Sequence, residues 1–213
     1  MLNASFNNLK SILCLGAHSD DIEIGCGGTI LKLLAEHPDV DVHWVVLGAK
    51  EERAEEAVRS AESFLRNAGH KNVVVRGFRD SFFPAEWPSI KTFFHELSDS
   101  VSPDIIFTHR RDDAHQDHRV VSELTWCAFR NHLILEYEIP KYEGDLGTPN
   151  IFVPLSETDC RCKVQAITDS FDTQSEKRWF TDDTFWSLLR IRGLESNSPS
   201  RFSEAFHCRK LII

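Results

Sequence analysis

Ala17-His18-Ser19-Asp20-Asp21-Ile22-Glu23-Ile24-Gly25-Cys26-Gly27-Gly28-Thr29 is the stretch on which the fold turns. Before it, Ser11 to Gly16 (SILCLG) has the length and apolar content of a buried strand, and after it Ile30 to Ala35 has a helical pattern. One imidazole and two adjacent carboxylates thus stand where a strand hands over to a helix. Three such groups within four residues repel one another and lose hydration at the edge of a core, unless a cation or dense hydrogen bonding offsets the cost. A divalent metal is the simplest candidate. Aspartates also favour helix N-termini, but a cap needs one carboxylate and gains nothing from the histidine. Gly25, Gly27 and Gly28 lack a third glycine at the spacing of a dinucleotide loop, and the acidic pair would repel a pyrophosphate. They are expected to form a tight turn and to let the helix approach closely.

Outward from this stretch, apolar runs at 40–47, 71–76, 104–108 and 133–139 alternate with helical patterns at 51–67, 89–101 and 119–130. That alternation predicts an α/β fold with a mostly parallel sheet covered by helices on both faces. Residues 77–88, rich in aromatics and proline, read as a loop. Beyond about residue 140 come a short strand at 151–153, helices at 157–171 and 182–192, and a terminal strand ending Leu211-Ile212-Ile213. This last third has no run of elements that closes a core of its own. The expectation is a single domain over 1–213, with a core over about 1–140 and a C-terminal α/β elaboration over about 141–213 packed on it.

Composition narrows the partners. The net charge of −9 excludes a broad basic face for nucleic acid or anionic membrane. No stretch approaches the roughly 18 consecutive apolar residues of a spanning helix. The first residues lack the basic and apolar segments of a secretory signal, so the cytoplasm is the expected location. None of the six cysteines forms a Cys-x-x-Cys pair. A small molecule is the expected partner, with a homo-oligomer left open.

A second charged cluster, Asp112-Asp113-Ala114-His115-Gln116-Asp117-His118-Arg119, also follows an apolar strand directly. In a doubly wound sheet of order 3-2-1-4-5 the first and fourth strands are neighbours, and their C-terminal ends flank the topological switch point. Two acid and imidazole clusters distant in sequence then converge on one crevice. Such donors with an open position suit zinc, which acidifies bound water, although iron(II) and other divalent ions accept similar sets. One carboxylate of the Asp20-Asp21 pair can ligate while its neighbour takes a proton from water.

The pattern Ala17-His-Ser-Asp-Asp-x-Glu-x-Gly-x-Gly-Gly-Thr29, with Thr108-His and Asp113-x-His-x-Asp-His-Arg119, resembles the PIG-L/LmbE family of metal-dependent N-deacetylases. The resemblance implies a Rossmann-like fold and zinc-dependent removal of acetate from an N-acetylated amino sugar or related glycoconjugate. It further implies that His18, Asp21 and His118 hold the metal and that Asp20 is the general base. His115 would stabilise the oxyanion or protonate the leaving amine, with Asp117 orienting and charge-tuning it. Arg53, in an Arg-x-x-Glu pattern with Glu56, would bind substrate hydroxyls. Ser19 and Gln116 stand where the family commonly has proline, and Asp113 stands where some members place a tyrosine.

Glu23 reads equally as a helix cap or as a hydrogen-bond partner behind a metal ligand. His109 reads as a satisfied strand-end histidine, and Phe78, Phe82, Phe83 and Trp87 as core or lid. Two competitors stand beside the deacetylase reading: a metal-dependent hydrolase of another amide, and a metal-retaining binding or scaffold protein without catalysis.

Overall fold

The computed structural model describes residues 4–212. Strands β1 (Ser11–Gly16), β2 (Asp41–Val46), β3 (His70–Val75), β4 (Ile105–His109) and β5 (Leu133–Tyr137) pair in parallel. Strands β6 (Ile151–Pro154) and β7 (Ser203–Cys208) complete a seven-stranded sheet of order β3-β2-β1-β4-β5-β7-β6, with β7 antiparallel to both neighbours. The sheet is mostly parallel, as the alternation predicts, and β1 and β4 lie side by side.

The pleat sorts the apolar side chains into two layers. Ile12, Cys14, Val42, Trp44 and Val46 face one, while Leu13, Leu15, Val45 and Leu47 face the other. On the first face α1 (Asp21–Glu36) packs against α2 (Glu51–Phe64) and α5 (Glu157–Ser170), and α5 against α6 (Asp182–Glu195). On the second, α3 (Phe83–Ser100) packs against α4 (Gln116–Ala128).

Three local expectations are corrected. The glycine stretch is not a turn, because α1 begins at Asp21 and contains Gly25, Gly27 and Gly28. Close approach is what these residues provide. A Cβ on Gly25 would lie 2.2 Å from the Tyr137 ring, and one on Gly28 would lie 2.5 Å from Leu155 and 3.0 Å from the Glu204 carboxylate. Second, α3 starts at Phe83 rather than Ser89, which shortens the aromatic loop to 77–82. Pro84 sits at the helix start, where a missing N–H costs nothing, and Pro88 is carried inside. Third, the terminal strand is β7, not a run ending at Ile213. Leu211 and Ile212 are exposed, and residue 213 lies outside the described residues. β7 was hidden by Glu204 and His207, polar residues whose side chains find buried or half-buried carboxylate, ammonium and backbone partners.

Candidate metal and active site

The C-terminal ends of β1 and β4 deliver both charged clusters to one crevice. His18 lies just past β1, and Asp20 and Asp21 open α1. His115 is the N-cap residue of α4, with Asp117 and His118 in its first turn. His18 Nδ1 and His118 Nε2 are 3.3 Å apart. Each lies 3.5 Å from an Asp21 oxygen, His18 from Oδ2 and His118 from Oδ1. Donors at 2.0–2.2 Å around a tetrahedral cation are separated by about 3.4 Å, so this set fits one zinc-sized ion. Three overlapping groups also lie close enough to hold a cation: His18 with His115 and His118, Asp21 with His109 and His118, and His18 with Asp80, His115 and Asp117.

Each donor is held from behind. The His18 backbone N–H donates to Asp21 Oδ2 at 2.6 Å. His118 Nδ1 faces Asp113 Oδ2 at 3.0 Å, which puts its proton on Nδ1 and turns the Nε2 lone pair toward Asp21. Lys141 Nζ reaches the same Asp113 oxygen at 3.0 Å and is itself clasped by Asp145 at 2.7 Å. Burial, reinforced by His109, lowers the His118 pKa to about 4 and so keeps that ring neutral. Burial also opposes charge on His18, but hydrogen bonds to Asp117, Asp21 and Asp80 outweigh it and raise that imidazole well above its usual range. The crevice therefore attracts positive charge.

Asp20 is buried, and burial together with Asp21 raises its carboxyl above the usual range, against the fields of Arg53, His18 and Lys177. Among the described residues its side chain makes no capping hydrogen bond to α1. A carboxylate of raised proton affinity, free of such a bond, suits acid–base work.

His115 is half-buried. Its Nδ1 accepts the backbone N–H of Asp117 at 3.3 Å, which leaves the proton of the neutral ring on Nε2. The Asp117 carboxylate does not orient His115 by a direct bond, contrary to expectation. It accepts the N–H groups of Ser81 (2.6 Å) and Phe83 (3.1 Å) and faces His18 Nε2 at 3.2 Å. Its reach to the turn before α3 was invisible while 77–88 read as one loop. The charge tuning is present: the field of Asp117 raises the His115 pKa, although burial and His18 leave it lowered overall.

Arg53 lies at the rim, with Nη1 on Asp80 Oδ2 at 2.7 Å and Nε on Ser19 Oγ at 3.4 Å. Ser19, which replaces the family proline, thereby gains a partner. Glu56 points elsewhere, accepting the N–H and hydroxyl of Thr173. Asp80 is the residue that sequence reasoning missed here. Its Oδ1 lies 3.2 Å from His18 Nε2, and this contact holds its carboxyl well below the usual range. The next residue, Ser81, has φ +68°, a strained conformation that often accompanies a binding site.

Glu23 supports no ligand. At 100° per residue it projects about 200° around α1 from Asp21, into the core against α2. Both its carboxylate oxygens are buried without hydrogen-bond partners among the described residues. Burial pushes its pKa well above the usual range, against the nearby Ser60 hydroxyl. An acid whose folded pKa is raised loses stability as pH climbs from its unfolded value toward the folded one. Glu23→Gln is therefore expected to gain about 1 kcal/mol or more at pH 8 and much less at pH 5, read from urea midpoints. Equal shifts at both pH values would exclude this account.

A family model described as "GlcNAc-PI de-N-acetylase", PIG-L, matches residues 13–129, more than half of the chain. The chain belongs to the PIG-L family. The matched segment runs from β1 through α4, so this family's signature covers both charged clusters. An "uncharacterized deacetylase", YaiS of Escherichia coli K12, is 26% identical over 175 residues, covering 78% of this chain and 93% of the relative. Among solved structures, the N,N'-diacetylchitobiose deacetylase of Pyrococcus horikoshii superposes with a TM-score of 0.67 at 19% identity, covering 96% of this chain and 85% of that one. GalB, the 4-carboxy-2-hydroxymuconate hydratase of Pseudomonas putida KT2440, gives 0.74 at 18% identity, covering 96% and 98%. At such identities the two structures speak for the fold alone, and one of them bears a hydratase's name. Among the described residues no helix is long and apolar enough to cross a membrane.

Proposed function

We propose that this PIG-L protein is a zinc-dependent N-deacetylase that hydrolyses the acetamide of an N-acetylated amino sugar or related small glycoconjugate, releasing acetate and a free amine. The observation that carries this reading is the approach of His18 Nδ1, Asp21 and His118 Nε2 to within 3.5 Å of one another beside the raised-pKa carboxyl of Asp20. His18, Asp21 and His118 would hold the ion; iron(II) suits the same donors. When bound, the ion supplies Lewis acidity toward the amide carbonyl and acidifies water.

The chain's own residues supply the rest. Asp20 accepts the proton of the attacking water, and its burial beside Asp21 gives it the affinity to do so. His115, with its Nε2–H free of Asp117, donates a hydrogen bond to the developing oxyanion, and the proton that Asp20 takes from water passes to the leaving amine. Asp117 fixes the turn at 81–83 and anchors His18, which keeps His115 and the rim in register. Arg53, tied to Asp80, binds sugar hydroxyls at the rim.

The test is metal analysis followed by acetate release over N-acetylamino sugars, sugar nucleotides and glycoconjugates, before and after chelation. Acetate release that stops on chelation and returns with zinc is the expected result. Metal binding without cleavage of any amide would favour the scaffold reading, and cleavage of a different amide would replace the acetamide.

A further inference from the structure

His109 ends β4 fully buried, and four contacts converge on its ring. Nε2 lies 3.1 Å from Asp21 Oδ2, 2.9 Å from the Ala17 backbone N–H and 3.2 Å from Tyr137 Oη. The ring stacks on His118 at 3.9 Å between centroids and 21° between planes. The Tyr137 hydroxyl donates to Leu15 O at 2.7 Å, so the phenol is pinned to β1. With its proton on Nε2 the ring donates toward Asp21 Oδ2 and the Tyr137 oxygen, and with its proton on Nδ1 it accepts the Ala17 N–H, so the same nitrogen is held in either tautomer, by different partners. Nδ1 is buried without a partner among the described residues.

We propose that His109 is a positioning residue for the cation site: it locks the Asp21 carboxylate and the His118 ring relative to each other, with Tyr137 as its brace. The inference rests on the metal-site reading above. It also accounts for Gly25. The Tyr137 ring passes so close to α1 that any Cβ at position 25 would meet it, and the same approach brings the phenol to His109 and Asp21 to Nε2. The brace thus joins β1, α1, β4 and β5 in a single contact chain behind the crevice.

The experiment measures zinc affinity of the metal-free protein by competition with a chelator, and the visible spectrum of the cobalt-loaded protein, neither of which needs turnover. His109→Phe keeps the stack and removes the polar head; it is expected to weaken zinc binding about 10- to 100-fold and to shift the cobalt spectrum. His109→Gln, which restores a polar group near the Nε2 position, is expected to recover part of that loss. Urea unfolding of the metal-free variants separates affinity from folding. A folded His109→Phe with parental zinc affinity and an unchanged cobalt spectrum would overturn the proposal. Complete loss of binding in every His109 variant would overturn it in favour of ligation by His109. Should His109→Phe fail to fold, Tyr137→Phe decides: weaker zinc binding supports the brace, and parental affinity removes it. A parent protein that binds no zinc or cobalt would sink the metal-site reading itself, whereas variants that match a metal-binding parent sink only the role of His109.

Discussion

Asp20→Asn is expected to abolish most acetate release while leaving metal content at the parental level. The reasoning begins with geometry. Asp20 precedes α1, and asparagine caps a helix start as well as aspartate does, so the substitution leaves the helix and Asp21 in place. What changes is chemistry alone. The carboxyl is buried, and the adjacent Asp21 adds to burial in raising its proton affinity, whereas an amide accepts no proton at any relevant pH. Loss of a positioned general base costs roughly 10²- to 10⁴-fold in turnover. His118→Ala supplies the contrast. It removes one of three donors that stand 3.3–3.5 Å apart and leaves Asp113 and Lys141 facing an empty space, so metal and activity should fall together. Metal analysis and acetate assays on the same preparations read both. If Asp20→Asn lost its metal, Asp20 would belong among the ligands; if it kept near-parental turnover, another group would have to be the base.

The convergence of an imidazole and two carboxylates at one strand end was legible in the local sequence, whereas the roles of Asp20 and Asp21 came from the family resemblance. His18, Asp20 and Asp21 lie within five residues of the end of β1, and the order of alternating strands and helices was enough to bring His115 and His118 to the same edge of the sheet. The residues that support them were not legible. Asp80 reaches His18 only because Ser81 takes up a left-handed turn and donates its N–H to Asp117, a long-range contact with no periodic signal. Lys141 and Asp145 carry no local signal that ties them to Asp113; the chain beyond β5 brings them there by folding back. Glu23 misled for the opposite reason. Its place two residues after Asp21 suggested a shared task, yet helical geometry turns the two apart, and only burial reveals an acid with no partner.

Glu204 of β7 ties the C-terminal third to α1, and Glu204→Ala is expected to destabilise the protein by about 3–5 kcal/mol. The Glu204 carboxylate accepts the N–H of Gly28 through Oε1 at 2.8 Å and that of Thr29 through Oε2 at 2.6 Å, both in the middle of α1. Lys163 of α5 donates to Glu204 Oε1 at 2.6 Å and to the Ile24 carbonyl, one turn earlier, at 2.6 Å. The pair inserts into the backbone ladder of α1, and Gly28 is required because a Cβ there would crowd the carboxylate. Both side chains are almost fully buried. Truncating Glu204 leaves an ammonium without its counter-charge and two amide N–H groups without their acceptor, which is the expensive way to break a buried pair. For a chain of this size the loss corresponds to a fall in Tm on the order of 10 °C. Adding Lys163→Met should recover part of it, since the stranded charge disappears while the two N–H groups stay unpaired, and the two substitutions should depart from additivity by about 1 kcal/mol or more. Urea midpoints of the two single variants and the double variant measure that coupling. Additive effects would mean that the two residues act separately on α1, the helix whose first turn carries Asp21, rather than as the clasp that ties it to β7 and α5.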